Sequence, residues 1–268
     1  MKKIIILTLC LQFSGVVFSF ADEPFKKHNW EIGPEVSYIR YEEPDVMEEK
    51  GIMYGLEGSY TYHDNWMFKV EGDGMYGQVD YTSANSGSVD NIPDFKFEIR
   101  GLAGYDFPVG QTAYLTPYLG LGYRYLNDDS SGKVSTDRIH AGYERESNYF
   151  YTPIGLQAVT ELNSNWSLGF NAEYDHLWFG KQISHLDDVD PSVYSTIKND
   201  QDSGWGLRGS IQLKKKGETA DFLVEPYVRY WDIEKSETST FISGNDIITG
   251  WEPKNKSTEI GMKLAVNF

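Results

Sequence analysis

The chain reads as an all-β protein: one ten-stranded, antiparallel, up-and-down transmembrane β-barrel. Three observations carry this. Ile260, Met262, Leu264, Val266 and Phe268 alternate with Glu259, Gly261, Lys263, Ala265 and Asn267, a period of two that marks a strand with one apolar and one polar face. The same alternation recurs ten times along the chain. The connections between these segments alternate short and long, which is how a barrel with tight turns at one rim and loops at the other is written.

The elements follow in order. The first candidate strand shares Trp30, Ile32, Val36 and Tyr38 on its apolar face, and the second Tyr54, Leu56, Gly58, Tyr60 and Tyr62. The third carries Trp66, Phe68, Val70 and Tyr76; the fourth Phe95, Phe97, Ile99, Ala103, Tyr105 and Phe107. The fifth has Leu115, Pro117, Leu119, Leu121, Tyr123 and Tyr125. The sixth is ambiguous in phase, and Phe150, Ile154, Leu156 and Ala158 are assigned outward. The seventh carries Trp166, Leu168, Phe170, Ala172, Tyr174 and Trp178; the eighth Trp205, Leu207, Gly209, Ile211 and Leu213; the ninth Phe222, Val224, Val228 and Tyr230. Most are long enough to cross a bilayer, which takes about 9–11 tilted residues. Short turns are expected at 63–65, 108–112, 163–165 and 214–219, and longer loops at 43–51, 79–94, 127–147, 179–203 and 232–256.

The N-terminus begins with Met1-Lys2-Lys3, continues through a largely apolar run to Phe20, and offers Ser19 and Ala21 before Asp22. That is a secretory signal peptide over residues 1–21, leaving 22–268 as the barrel domain. Cys10, the single cysteine, falls in the removed segment, so disulfides and thiolate metal sites are not expected. The chain has 24 Lys+Arg and 40 Asp+Glu; removing Lys2 and Lys3 leaves 22 against 40, a net of −18. Nucleic acid is not an expected partner of so acidic a chain. With 19 Tyr, 14 Phe and seven Trp, the chain is rich in the rings that settle at membrane–water interfaces. Trp30, Tyr62, Trp66, Tyr125, Trp166, Trp178, Trp205 and Phe268 are the expected aromatic belt.

The opposite face holds both charge signs. Lys69, Glu71, Asp73, Glu98, Arg100, Arg124, Glu173, Asp175, Arg208, Glu225 and Arg229 are expected as a lumen charge network, with Glu57, Lys96, Asn171, Gln212 and Lys263 beside them. Ionised groups this far from bulk water must be paired or hydrated. A ten-stranded barrel is only slightly wider than one its side chains fill, so the lumen is expected to be occluded, with a narrow pore as the alternative.

The segments Thr116–Tyr125, Tyr151–Leu156 and Glu252–Gly261, with terminal Phe268, resemble the small outer-membrane β-barrel proteins of Gram-negative bacteria, the broad OmpA-like, opacity-like group. The resemblance spans residues 22–268. It implies Sec export, residence in the outer membrane among lipid and lipopolysaccharide, and assembly through the C-terminal strand by the barrel-assembly machinery. It implies no single activity, because the group hosts adhesins, pores, structural barrels and enzymes. A structural or surface-interaction role, with any extracellular ligand unidentified, is the expectation; a narrow pore for small solutes is the alternative and an omptin-type outer-membrane protease the third reading.

Candidate chemistry is thin. The ten-stranded omptin proteases use an Asp pair facing an Asp/His pair at the barrel mouth. The matching loops here offer Asp80, Asp90 and Asp94 on one side, and His185 to Asp190 with Glu173-Tyr174-Asp175-His176 on the other. No closely spaced Asp pair is present, and the order of acid and His differs from that family's. A lipid-modifying enzyme would need a nucleophile, His and acid in triad geometry, and the adjacent Ser184-His185 is a poor start. Asp128-Asp129 and Asp187, Asp188 and Asp190 could hold a hard cation but match no calcium-loop pattern, so they read as solvated loop. Lys214-Lys215-Lys216 reads as a topology and solubility feature of a short turn. Gly101, Gly104, Gly120 and Gly122 lack the strand-to-helix context and lysine of a phosphate loop and read as relief of crowding. No catalytic residue, metal or cofactor is expected.

Overall fold

The computed structural model describes residues 25–268. The signal segment, Cys10 and the cleavage point lie outside the described residues.

The strands are β1 (His28–Glu43), β2 (Met47–Asp64), β3 (Trp66–Ser83), β4 (Gly87–Tyr105), β5 (Phe107–Val109), β6 (Ala113–Asp129), β7 (Glu144–Asn163), β8 (Trp166–Ser184), β9 (Ile197–Gln201), β10 (Gly204–Lys215), β11 (Asp221–Ile233), β12 (Ser239–Ser243), β13 (Asp246–Gly250) and β14 (Asn255–Asn267). Ten of them close a ring in the order β1-β2-β3-β4-β6-β7-β8-β10-β11-β14, every neighbour antiparallel. Closure is made by β14, which pairs β11 on one side and β1 on the other, with Tyr38 opposite Ile260 and Val228 opposite Ile260. The C-terminal strand is therefore a seam with no free edge. The short β5 extends the β4 edge along β6, and β9 extends β10 along β8. β12 and β13 form a separate hairpin in the last loop.

The outward face is apolar on strand after strand, with Leu56, Val70, Leu119, Ile154, Ile260 and Leu264 exposed. Two aromatic girdles bound it. At the turn end stand Trp30, Trp66, Tyr105, Phe107, Trp166 and Phe268; Trp66 meets Tyr105 edge-on, with centroids 5.3 Å apart. At the loop end stand Tyr125, Trp178, Phe179, Trp205 and Tyr230, with Trp205 5.4 Å from Tyr230. Of the expected belt, Tyr62 sits at the turn end, where its hydroxyl donates to Asp64 at 3.0 Å, and the Tyr125 hydroxyl donates to Glu146 at 3.0 Å. Rings with an apolar body and a wet, bonded tip suit this depth.

Two of the expected loops are mostly strand. Residues 43–51 and 79–94 contain only three-residue turns at 44–46 and 84–86, and the flanking hairpins run on beyond the girdle. The outer face carries Glu42, Glu48, Lys50, Asp80 and Asn91, while the buried inner face mixes Met47, Val79 and Ile92 with Glu43 and Glu49, so no apolar outward face marks the strand. A cross-strand pair holds it instead: Arg40 Nε of β1 donates to Glu48 of β2 at 2.6 Å, and Lys50 Nζ, on the same strand as Glu48, donates to it at 2.7 Å. A bulge is the other departure. Phe150 pairs with Phe179 and Tyr151 with Leu177, so Trp178 is an extra residue and both Trp178 and Phe179 face outward.

Glycine has a specific use inside. The Tyr151 ring lies across Gly122 and the Tyr118 ring across Gly155, and a Cβ at either glycine would overlap the ring. Each tyrosine covers backbone that no side chain could occupy, which locks neighbouring strands together.

Candidate functional site: the charged lumen and its two mouths

Inward-facing positions of ten strands converge on one axis, so residues distant in sequence meet. At the centre Arg208 lies 2.8 Å from Asp175, 2.8 Å from Glu98 and 3.2 Å from Glu173. It also lies 3.0 Å from the Tyr151 hydroxyl, which itself donates to Glu98. Arg100 bridges Glu71, at 2.7 Å from Nε, to Glu173, and Lys69 pairs with Glu71. Tyr118 Oη lies 2.8 Å from Glu173. Across the lumen Arg229 is 3.3 Å from Glu259, 3.5 Å from Asp73 and from Glu57, and 3.7 Å from Glu35. Lys96 donates to Glu259 at 2.9 Å, and Lys263 gathers Glu31 at 2.8 Å, Glu57 at 2.6 Å and Glu225 at 2.8 Å.

Ten of the eleven residues named for the network thus sit in these ion pairs. Arg124 does not. It is buried in the lumen, but its contacts are the Ser257 hydroxyl at 3.4 Å and the Trp231 ring, 5.5 Å from the guanidinium carbon to the centroid. No ion pair joins it to a carboxylate among the described residues. Arg124 stands opposite Glu98 on the β4–β6 ladder, but Glu98 is taken by Arg208, and the Arg124 guanidinium lies against an aromatic layer instead.

That layer was not read from the sequence. Tyr149, Tyr151, Leu177, Trp231 and Ile233 form one buried cluster across the lumen, and Ile39, Met53, Met75, Val79 and Ile92 form a second on the opposite wall. Tyrosine serves both belt and lumen, so its type gives no face, and only the parity of Trp231 against Tyr230 could have placed it inside. Glu31, Glu35 and Glu259 were also missed, although Glu259 alternates with Ile260. The space left is small: a central cavity of about 70 Å³, one of about 60 Å³ below it and one of about 30 Å³ above. Cavities of this size hold a few waters each.

At the loop end Arg145 is saturated by three carboxylates: Glu43 at 3.1 Å, Glu49 at 3.0 Å and Asp128 at 3.0 Å. Glu252, from the connection between β13 and β14, is buried against them, and its Oε1 has no hydrogen-bond partner among the described residues. Burial first, then the Glu43 charge, push its carboxyl up to about 8, while Arg145 acts the other way. Its backbone ties residues 234–254 down, since Ser236 N–H donates to Glu252 O at 3.0 Å and Glu252 N–H to the Ser236 hydroxyl at 2.8 Å.

A carboxyl raised above its ordinary value stabilises the closed strap fully at acidic pH and loses that contribution as pH rises through about 8. Trypsin nicking at Lys235 and Lys254 is therefore expected to accelerate about ten-fold between pH 7 and 9, the equivalent of roughly 1.4 kcal/mol, relative to a free peptide substrate. Glu252→Gln should flatten the profile. A wild-type profile parallel to the peptide's would refute this.

The residues considered for hydrolysis do not assemble. Asp175 faces the lumen and His176 the outside, where it meets Trp178 edge-on at 4.8 Å. His185 Nε2 is 2.8 Å from Glu146, on the outer wall, where Glu146 also takes the Tyr125 hydroxyl. Asp80 Oδ1 accepts from Asn91 N–H at 2.8 Å, within its own hairpin. Asp187 and Asp190 accept from Thr196 and Ser192, each at 2.6 Å, within the fourth loop. No group of three acidic, His or Cys side chains poised for a metal is present among the described residues.

Comparison with known proteins agrees with the architecture. The family model described as "Outer membrane protein beta-barrel domain" matches residues 8–207. No curated protein matches the chain. Among solved structures, the outer membrane protease OmpT of Escherichia coli is similar at 8% identity, covering 90% of this chain and 96% of that one, with a TM-score of 0.63. The translocator domain of the autotransporter NalP of Neisseria meningitidis follows at 11% identity, 90% and 89% coverage and a TM-score of 0.43. Ail, the attachment invasion locus protein of Yersinia pestis, shows 11% identity, 90% and 99% coverage and a TM-score of 0.30. At these identities the likeness concerns the fold alone. With three quarters of its length under the family model and ten strands closed into a ring, the chain belongs to the outer membrane protein β-barrel domain family, and its place is the outer membrane.

Proposed function

We propose that the protein is a non-catalytic surface barrel of a Gram-negative outer membrane, closed to solute flow, whose extended hairpins and acidic mouth meet a partner outside the cell. Residues 1–21 direct export by the Sec route and are removed on translocation, with residues 22–268 forming the domain. The short turns then face the periplasm. The surroundings are lipid and lipopolysaccharide, and the seam strand β14 is the element the assembly machinery handles.

One observation carries the reading: the lumen is filled. The Arg208-centred ion layer and the Tyr149–Tyr151–Trp231 layer occupy the lumen and leave cavities of about 70, 60 and 30 Å³. The placements of His176 and His185 favour a non-hydrolytic role. OmpT is a protease, but a shared architecture does not bring its chemistry here.

Planar-bilayer recording on the refolded mature chain is the test. Wild type is expected to pass no steady current at neutral pH. Large, steady currents would replace the closed barrel with a pore.

A further inference from the structure

We propose that the vestibule at the turn end of the barrel binds a small monoanionic carboxylate with an apolar body, and that Lys214 is its counter-charge. The vestibule encloses about 450 Å³, within the range of small-molecule sites. Phe25 and Val159 supply apolar wall, and Asn29, Ser167 and Thr219 supply polar groups. Phe25 is held in place by stacking on His63, with centroids 4.3 Å apart and planes within 7°. His63 in turn lies 2.7 Å from Asp106, which accepts from the Thr116 hydroxyl at 2.6 Å.

The charges single out one lysine. Lys216 is 2.6 Å from Glu161, and Lys26 is 3.5 Å from Asp221, which also accepts from Gly217 N–H at 3.2 Å. Glu31, nearby, belongs to Lys263 at 2.8 Å. Lys215 points outward over the Trp166 ring at 5.7 Å. Lys214 and Lys216 both line the vestibule, and Lys214 is the one of the two with neither an ion pair nor a hydrogen bond among the described residues. It lines both the vestibule and the cavity of about 60 Å³ above it. Lys214 is half-buried, so its ammonium is only partly hydrated, and an incoming anion supplies the charge contact it lacks. The lining carries Lys26, Lys214 and Lys216 against Glu161, Glu218 and Asp221, so the vestibule as a whole is neutral and Lys214 offers a single cation to a ligand. Glu218, which also lines the vestibule, disfavours a second negative charge. That favours a carboxylate over a phosphate dianion, and the Phe25–Val159 wall favours an apolar body behind it.

The test is calorimetric titration of benzoate, and separately of inorganic phosphate, into the refolded mature protein in detergent. Benzoate should bind saturably and more tightly than phosphate. Lys214→Gln should weaken it at least ten-fold, while Lys215→Gln stays within two-fold. Val159→Phe, which keeps every charge but fills the cavity, should also weaken it at least ten-fold, a check that survives if Lys214→Gln fails to fold. Absence of saturable benzoate binding, equal loss in the two lysine variants, unchanged binding in Val159→Phe, or tighter binding of phosphate would each overturn the proposal. None of these outcomes depends on whether the lumen conducts.

Discussion

Arg208→Met is expected to destabilise the barrel by about 3–5 kcal/mol, the cost of leaving buried carboxylates without their cation. Arg208 stands within 3.2 Å of oxygens from Glu98, Glu173 and Asp175, which come from β4 and β8. Methionine preserves much of the volume but returns none of the charge, and Asp175 already has one oxygen without a hydrogen-bond partner. The matched control is Arg124→Met. That side chain loses only a cation–π contact and one long hydrogen bond, worth about 1–2 kcal/mol together. Urea unfolding in lipid vesicles, followed by tryptophan fluorescence and by the gel shift of the folded barrel, measures both. Equal losses would mean that the ion layer is hydrated rather than paired. The same contrast extends to function: the Arg208 variant should be the leakier of the two in a planar bilayer, because the ion layer is what it opens.

Leu119→Arg is expected to cost about 2–4 kcal/mol, because it would place a guanidinium near the bilayer midplane. Leu119 is 61% exposed on the outer face, between Ala103 and Ile154, and lies several residues from either girdle. Leu168→Arg should cost about 1 kcal/mol or less. Leu168 sits two residues from Trp166, so an arginine there can reach the interface with its head group while its stem stays in lipid. The difference between the two variants in the same unfolding assay measures depth directly. Equal penalties would contradict the assignment of Trp166 to a girdle.

The wall of the barrel was open to reading from residue types because a strand in a bilayer meets two different solvents. Leu119, Leu121 and Tyr125 must tolerate lipid while Arg124 and Gly122 must not, and that demand writes a period of two. Where the demand stops, the reading stopped. Residues 43–51 and 79–94 continue as strand above the girdle, yet with a polar outer face and a mixed inner one they lack the apolar-out alternation. The bulge at Trp178 was equally invisible, since inserting one residue shifts the phase without changing composition.

The sequence by itself determined a ten-stranded barrel, its lipid-facing wall, its girdles and the charged character of its interior, because burial against lipid acts on each residue separately. Only the tertiary structure decided which charges pair. Arg100 meets Glu173, 73 positions away, and Lys263 meets Glu31, 232 positions away, because closing the sheet sets the stagger that brings their strands level. Closure of the ring also put the Trp231 ring rather than a carboxylate against Arg124, and left Lys214 without an ion pair at the turn-end mouth. Pairing across a lumen depends on relative height among all ten strands, and no local pattern encodes a relation of that range.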